Sequence, residues 1–413
     1  LTDAGETASF YEALRAVYGP CHQTQAPLSS ADGSTLLTDK DSIMTCWSEH
    51  FESLFCDKRS LQESSLAQIP KVDVKHDLDV PPNLCEIGKA IARMKTGKAP
   101  GSDGIPAEVF RDGGEVVHLQ LESLFTACWE SGTIPQDLRD AIIIPLYKNK
   151  GTKSDCSNYR GITLLSIAGK ILARVLLNRL IPTLAEENTP ESQCGFRAKR
   201  GTTDMIFVFR QIQEKCREQN MALYAAFIDL TKAFDTVSRE GLWDILERLG
   251  CPPKFLTILK QLHEGQLGQV KLAGDLSDSF PISNGVKQGC ILAPMLFSIF
   301  FSMMLHEAKE NITDGIFIRF RTDGSIFNLR RLLAQTKTLE QIVLELLFAD
   351  DCALIAHMEE ALQHIANCFG KAAKAFGLTI SLKKTEVMYQ PPPGEPYSDP
   401  HITINNTELN AGY

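Results

Sequence analysis

The chain has 413 residues, 42 Lys and Arg against 51 Asp and Glu, a formal charge of −9 and 44% hydrophobic residues, enough for two or three lobes around a real core. No apolar run approaches the ~20 residues that span a bilayer, and the twelve cysteines stand singly, with no Cys-x-x-Cys pair and no Cys/His cluster. That spacing disfavours a zinc module or a disulfide framework and makes reduced intracellular thiols the default. The net charge argues weakly against nucleic-acid binding, yet from Lys148 to Arg200 the bases, among them Lys153, Arg160, Lys170 and Arg174, outnumber the acids. A basic lobe on an acidic chain suits an enzyme that acts on polyphosphates.

Residues 1–83 read as a leader or linker with a few helices, closing on Val80-Pro81-Pro82. The chain opens at Leu1 without an initiator Met or signal-peptide pattern, so a fragment of something longer is expected. From Leu84, the residues Ile87, Ile91 and Met94 recur at helical spacing up to the turn-rich Gly97-Lys98-Ala99-Pro100-Gly101-Ser102-Asp103-Gly104. That loop reads either as a plain turn or as a phosphate cradle, although it lacks the P-loop pattern. Ala141 to Tyr147 predicts a strand, and Ile171, Leu172, Val175, Leu176 and Arg179 predict a helix. Leu242, Ile245, Leu246 and Leu249 mark another helix, stopped by Gly250 and Pro252-Pro253. Ala293 to Leu305, opening at Pro294, reads as a core helix. Irregular alternation of strands and helices points to an α+β fold, with Pro391-Pro392-Pro393-Gly394 as a boundary near the end.

Two acidic strand ends carry the chemistry. Asp350-Asp351 sits between the apolar runs Ile342 to Leu347 and Cys352 to Ala356, and Asp229 closes Ala225-Ala226-Phe227-Ile228. Adjacent carboxylates at the tip of a buried strand pair repel one another and are costly to desolvate unless a cation lies between them. Packed side by side, these strands would gather three hard oxygen ligands suited to Mg²⁺ and to two-metal phosphoryl or nucleotidyl transfer, which needs no nucleophilic side chain.

At these residues the chain resembles a known family. Phe227-Ile228-Asp229-Leu230-Thr231-Lys232-Ala233-Phe234-Asp235, then Gly285-Val286-Lys287-Gln288-Gly289-Cys290-Ile291-Leu292-Ala293-Pro294, then Phe348-Ala349-Asp350-Asp351, look like motifs A, B and C of reverse transcriptases. Asn158-Tyr159-Arg160-Gly161-Ile162 and Gly195-Phe196-Arg197 resemble the fingers motifs, and Gly377 to Thr385 resembles motif D, with Ser381 where Asn is common. The match is to the non-LTR, LINE-type enzymes.

The resemblance implies a right-hand polymerase: fingers at 84–200, an antiparallel palm sheet with packed helices at 201–389, and the start of a further motif at 390–413, with thumb and endonuclease expected outside this piece. It implies RNA-directed DNA synthesis from dNTP onto a DNA primer along an RNA template, with two Mg²⁺ ions, or Mn²⁺ in their place. Asp229, Asp350 and Asp351 would bind metal; Lys384 would protonate pyrophosphate; Lys148 and Arg160 would grip triphosphate. Phe234 would exclude a 2′-hydroxyl or else be a core phenylalanine, and Gln288-Gly289 would touch nucleotide and template or else form a tight turn. No membrane partner is implied. The expected location is intracellular, nuclear during target-primed integration and otherwise in a cytoplasmic ribonucleoprotein. A decayed derivative that binds RNA without catalysis and a group II intron maturase are the competing readings.

Overall fold

The computed structural model describes residues 27–30, 33–56, 59–286, 289–310, 312, 315–321 and 338–412. Alternation of apolar and small residues in Leu223–Ile228 makes it the middle strand of the first sheet, whose order is Glu345–Phe348, Asp351–Ala356, Leu223–Ile228, Glu386–Gln390 and Asn410–Ala411. All its pairings are antiparallel except the last. The second sheet runs Tyr159–Leu165, Ala141–Tyr147, Gln266–Leu272 and Asp275–Leu276, with Phe280–Ile282 also paired to Gln266–Leu272. Ala141–Tyr147 pairs with Gln266–Leu272 in parallel. The fold is therefore α+β with mixed sheets and packed helices, as the alternation of elements predicts.

Period two decides which core each strand face meets. Ala226 and Ile228, with Cys352, Leu354 and Ala356, face the main core; Leu223 and Ala225, with Ala353 and Ile355, face a smaller one closed by Ile212 and Cys216 of the helix Thr202–Glu218. The main face is covered by Glu359–Ala375, a helix rich in buried alanines, and by Ala293–Lys309, whose Phe297, Phe300 and Phe301 are fully enclosed. That second helix is the expected core helix. Among the described residues no helix is long and apolar enough to cross a membrane.

The structure departs from expectation in three places. First, the stretch expected as leader or linker contributes the helix Lys40–Phe55, capped by Asp39, whose carboxylate accepts from Ser42 N at 2.8 Å. Its Trp47, Phe51 and Phe55, one turn apart, stack in series and are all buried in the main core. Gly161 exists to admit it: a Cβ there would stand 2.7 Å from a Phe51 ring carbon. Second, the apolar run before Asp350 is not one strand. Thr338–Val343 pairs with Ile316–Arg321 outside the first sheet, and Glu345–Phe348 begins anew inside it. The break falls where Glu345, 5% exposed, turns inward to meet Lys309 at 2.5 Å and Ser192 Oγ at 2.8 Å. Third, Pro252-Pro253 ends one helix, Arg239–Arg248, and also opens the next, Pro253–Gln261, because proline suits the first helical turn.

Candidate active site

The Asp350 turn is a two-residue hairpin: Phe348 and Asp351 pair directly, and Ala349 takes φ of +58°, a left-handed conformation uncommon outside glycine. A buried glutamine holds it there. Gln193 Oε1 accepts from Ala349 N and Gly195 N, each at 2.8 Å, while its Nε2 donates to Ala349 O at 3.1 Å. Cys194 N donates to Leu347 O at 2.9 Å and Leu347 N to Ser192 O at 3.1 Å, so residues 192–194 run along the open edge of the hairpin. Gly195 must be glycine, since its Cβ would fall 2.2 Å from Ala349 N.

Cys352 pairs with Ile228, and extending that register by one sets Asp351 opposite Asp229 on the face of Phe227 and Ala353. Burial pushes the Asp350 carboxyl up from the usual range, and the charges of Asp351 and Asp229 push it further; Asp351 is raised by burial and then by Asp229. Lys384 Nζ lies 3.1 and 3.4 Å from the two Asp229 oxygens. It is carried by a turn docked on the same strand, in which Ser381 N donates to Asp229 O at 2.8 Å and Asp229 N donates to Thr385 Oγ1 at 3.3 Å.

Among the described residues no group of three or more His, Cys, Asp or Glu side chains is gathered closely enough to hold a metal ion. The carboxylates share a field without forming a closed cage. Mutual repulsion among acids is what a cation relieves, and an open, all-oxygen donor set fits a hard divalent ion that keeps sites for water and phosphate.

Facing these acids is a group of bases. Lys148 is lowered by burial, then by the positive charges of Lys232, Arg160 and Lys384, with Asp235 opposing; its Nζ donates to Ser157 O at 2.8 Å. Arg160 in turn favours ionised Asp350. Lys148, just past the strand that pairs with that of Arg160, therefore feels the charge of Arg160 and of Lys384, which comes far later in the chain. The Phe234 ring lies 4.5 Å from Phe297 of the core helix and 6.2 Å from the half-exposed Phe196, edge to face, so it is part core and part rim. Gly289 has φ of +112°, and its Cβ would meet Thr163 O at 2.7 Å. Glycine is thus required there by the fold, whatever else approaches it. Gln288 lies outside the described residues. A groove of 540 Å³ opens beside Asp229, Asp351 and Lys384, walled by Phe227, Phe209 and Arg210.

Sequence reasoning missed four residues of this neighbourhood. Gln193 carries no signal beyond being polar beside Gly195-Phe196-Arg197. Lys232 and Asp235 lie within the quoted acidic motif yet received no role; burial pushes Asp235 up to about 6 against the pull of Lys232 and Lys148. Arg239 is buried and spends its guanidinium on backbone, donating to Gly285 O at 3.0 Å, Ile282 O at 2.9 Å, Asn284 O at 3.1 Å and His263 O. It thereby fixes the segment that leads to Gly289.

The family model described as reverse transcriptase (RNA-dependent DNA polymerase) matches residues 148–401, more than half of the chain. The chain belongs to the reverse transcriptase family. Its relatives include the RNA-directed DNA polymerase from mobile element jockey of Drosophila melanogaster, 32% identical over 263 residues, 62% of this chain and 29% of that protein. The Transposon TX1 uncharacterized 149 kDa protein of Xenopus laevis is 27% identical over 318 residues, 76% of this chain and 24% of its own length. A probable RNA-directed DNA polymerase from transposon X-element of Drosophila melanogaster is 26% identical over 304 residues, 71% of this chain and 33% of the other. The resemblance to LINE-type reverse transcriptases holds, and this reverse transcriptase chain spans no more than a third of any of these three relatives.

Proposed function

We propose that this chain carries out RNA-directed DNA synthesis, adding dNTP to the 3′-hydroxyl of a DNA primer on an RNA template, as part of the copying of a LINE-type mobile element. What supports the reading most is the register that sets Asp351 opposite Asp229 with Asp350 on the adjoining turn, under the charges of Lys148, Arg160 and Lys384. In this reading residues 84–200 are fingers and residues 201–389 a palm. Asp229, Asp350 and Asp351 would hold two Mg²⁺, whose contribution is to acidify the primer hydroxyl and to neutralise charge on the leaving pyrophosphate.

The chain's own groups do the rest. Lys148 and Arg160 grip and orient the triphosphate, the lysine as a point charge and the arginine as a fork. Lys384, beside Asp229, would give a proton to the leaving pyrophosphate oxygen. Phe234, held against Phe297, offers its outer edge to the sugar and leaves no room for a 2′-hydroxyl. Gly289, fixed over Thr163, contributes backbone to the nucleotide's side of the site.

The test is primer extension on poly(rA)/oligo(dT) with Mg²⁺, comparing the wild-type chain, a version extended past Tyr413 and Asp350→Asn. Synthesis by either wild-type form, reduced about 10²-fold or more in Asp350→Asn, is the expected outcome. Activity retained in Asp350→Asn would refute the site. RNA binding without synthesis in both wild-type forms would establish the catalytically silent derivative instead.

A further inference from the structure

Away from the carboxylates, two thiols that are 110 residues apart in sequence meet across the packing of the first core helix. Cys46, half-buried on Lys40–Phe55, has its Sγ 3.8 Å from the Sγ of Cys156, which is 8% exposed in the turn before the Tyr159–Leu165 strand. Both sit on the wall of a cavity of 690 Å³, with Ser29, Glu49, His50 and Asp155 around them. The surroundings fix both partners: Ser29 N donates to Ser154 O at 2.8 Å, Cys46 Sγ reaches Ser29 O at 3.8 Å, and Asp155 accepts from Ser157 N at 2.8 Å and Ser157 Oγ at 2.7 Å. Two sulfurs 3.8 Å apart, held by independent backbone interactions and reached through a cavity, have the arrangement a reversible crosslink needs.

We propose that Cys46 and Cys156 form a peroxide-sensitive disulfide that ties the first core helix to the basic loop at 148–158. Cys46 is the sulfur that meets the oxidant, because it is the less buried; burial and the neighbouring Cys46 push the Cys156 thiol up to about 12, which leaves it the resolving partner. The Cys46 thiolate attacks hydrogen peroxide, the O–O bond breaks, and the sulfenic acid and hydroxide result, the hydroxide taking up the thiol's proton as water. Cys156 Sγ then attacks the sulfenic sulfur; the S–S bond forms, the S–O bond breaks, and hydroxide leaves with the Cys156 proton as a second water. In sum, two thiols and one peroxide give one disulfide and two waters.

The tether reaches directly into the loop. Ser157, next to Cys156, offers the carbonyl that receives Lys148 Nζ, and Lys148 N donates to Asn158 O at 2.9 Å. Crosslinking the turn therefore restrains a segment whose three lysines, Lys148, Lys150 and Lys153, are otherwise exposed.

The experiment treats the full chain with hydrogen peroxide, alkylates remaining thiols and digests with trypsin. Cys156 falls in peptide 154–160 and Cys46 in peptide 41–58, which also contains Cys56; fragment spectra of the wild-type linked pair, and a Cys56→Ser chain as a second route, assign the bond. The expected result is a dithiothreitol-reversible 41–58/154–160 pair that is missing in both Cys46→Ser and Cys46→Ala. In parallel, limited trypsin cleavage at the three loop lysines slows several-fold on oxidation and recovers on reduction. Alkylated Cys156 beside an over-oxidised Cys46, a Cys156 bond to any other cysteine, or unchanged cleavage of the loop would overturn the proposal.

Discussion

Removing the Gln193 amide while keeping its shape, in Gln193→Met, should damage catalysis and stability together. The side chain is 1% exposed and makes three hydrogen bonds, two to Ala349 and one to Gly195. Methionine fills the volume but leaves Ala349 N, Ala349 O and Gly195 N facing a thioether. At about 1 kcal/mol for each buried backbone group that loses its partner, the expected cost is about 3 kcal/mol, read as a lower urea midpoint at unchanged m-value. The same loss frees Ala349 from its left-handed conformation, and a shift of about 1 Å in Asp350 corresponds to roughly a 10²-fold fall in kcat, with the KM for dNTP nearly unchanged because Lys148 and Arg160 are untouched. Primer extension at saturating dNTP measures it. A Gln193→Met chain that keeps its unfolding free energy within about 0.5 kcal/mol and its kcat within twofold would refute the claim that this glutamine sets the Asp350 turn.

Phe234→Ala should lower the preference for dNTP over rNTP by roughly tenfold or more, measured as the ratio of kcat/KM values, while costing about 2 kcal/mol of stability because the ring is only partly buried; an unchanged ratio would make Phe234 a core residue only. Asp235 is raised by burial from an ordinary value of 3.8 to about 6. Its folded value lies above its unfolded one, so its contribution to stability is full below about pH 4 and is lost as pH rises through 6, by about 3 kcal/mol at most. Asp235→Asn should flatten that part of the urea-midpoint profile, and an identical slope in the variant would exclude Asp235 as its source. Arg239→Met takes this donor from three buried carbonyls and one part-buried one and should destabilise by about 3 kcal/mol; a loss below about 1 kcal/mol would show that the segment before Gly289 is held by other means.

The grouping of the three aspartates on neighbouring strands was legible in the sequence because each acid ends or follows an apolar segment, and the same alternation that marks the strand also fixes the face on which Asp229 stands. Lys148 and Arg160 could be placed near them only through resemblance, since nothing local reports that residues on one sheet overhang another. Gln193 and Arg239 were illegible for a stricter reason: their partners are backbone atoms, which every residue possesses, so no composition or spacing announces the contact. The Trp47, Phe51 and Phe55 series was present in plain view, yet short helical patterns among polar stretches give no indication of what they pack against. Glu345 misled in the opposite sense, since a lone acid within an apolar run reads as a minor interruption until Lys309 supplies its counter-charge.

The Phe51 ring lodged over Gly161 separates two boundaries that are commonly equated. The family model matches from Lys148 onward, but the strand that bears Arg160 rests on an aromatic side chain contributed about a hundred residues earlier. A recombinant piece trimmed to the matched region would open a ring-sized hollow beneath that strand and expose its apolar underside to water. The smallest unit that can be expressed as a soluble, ordered protein is accordingly longer than the smallest unit that can be recognised, and trimming this chain for expression should begin upstream of Asp39, not at Lys148.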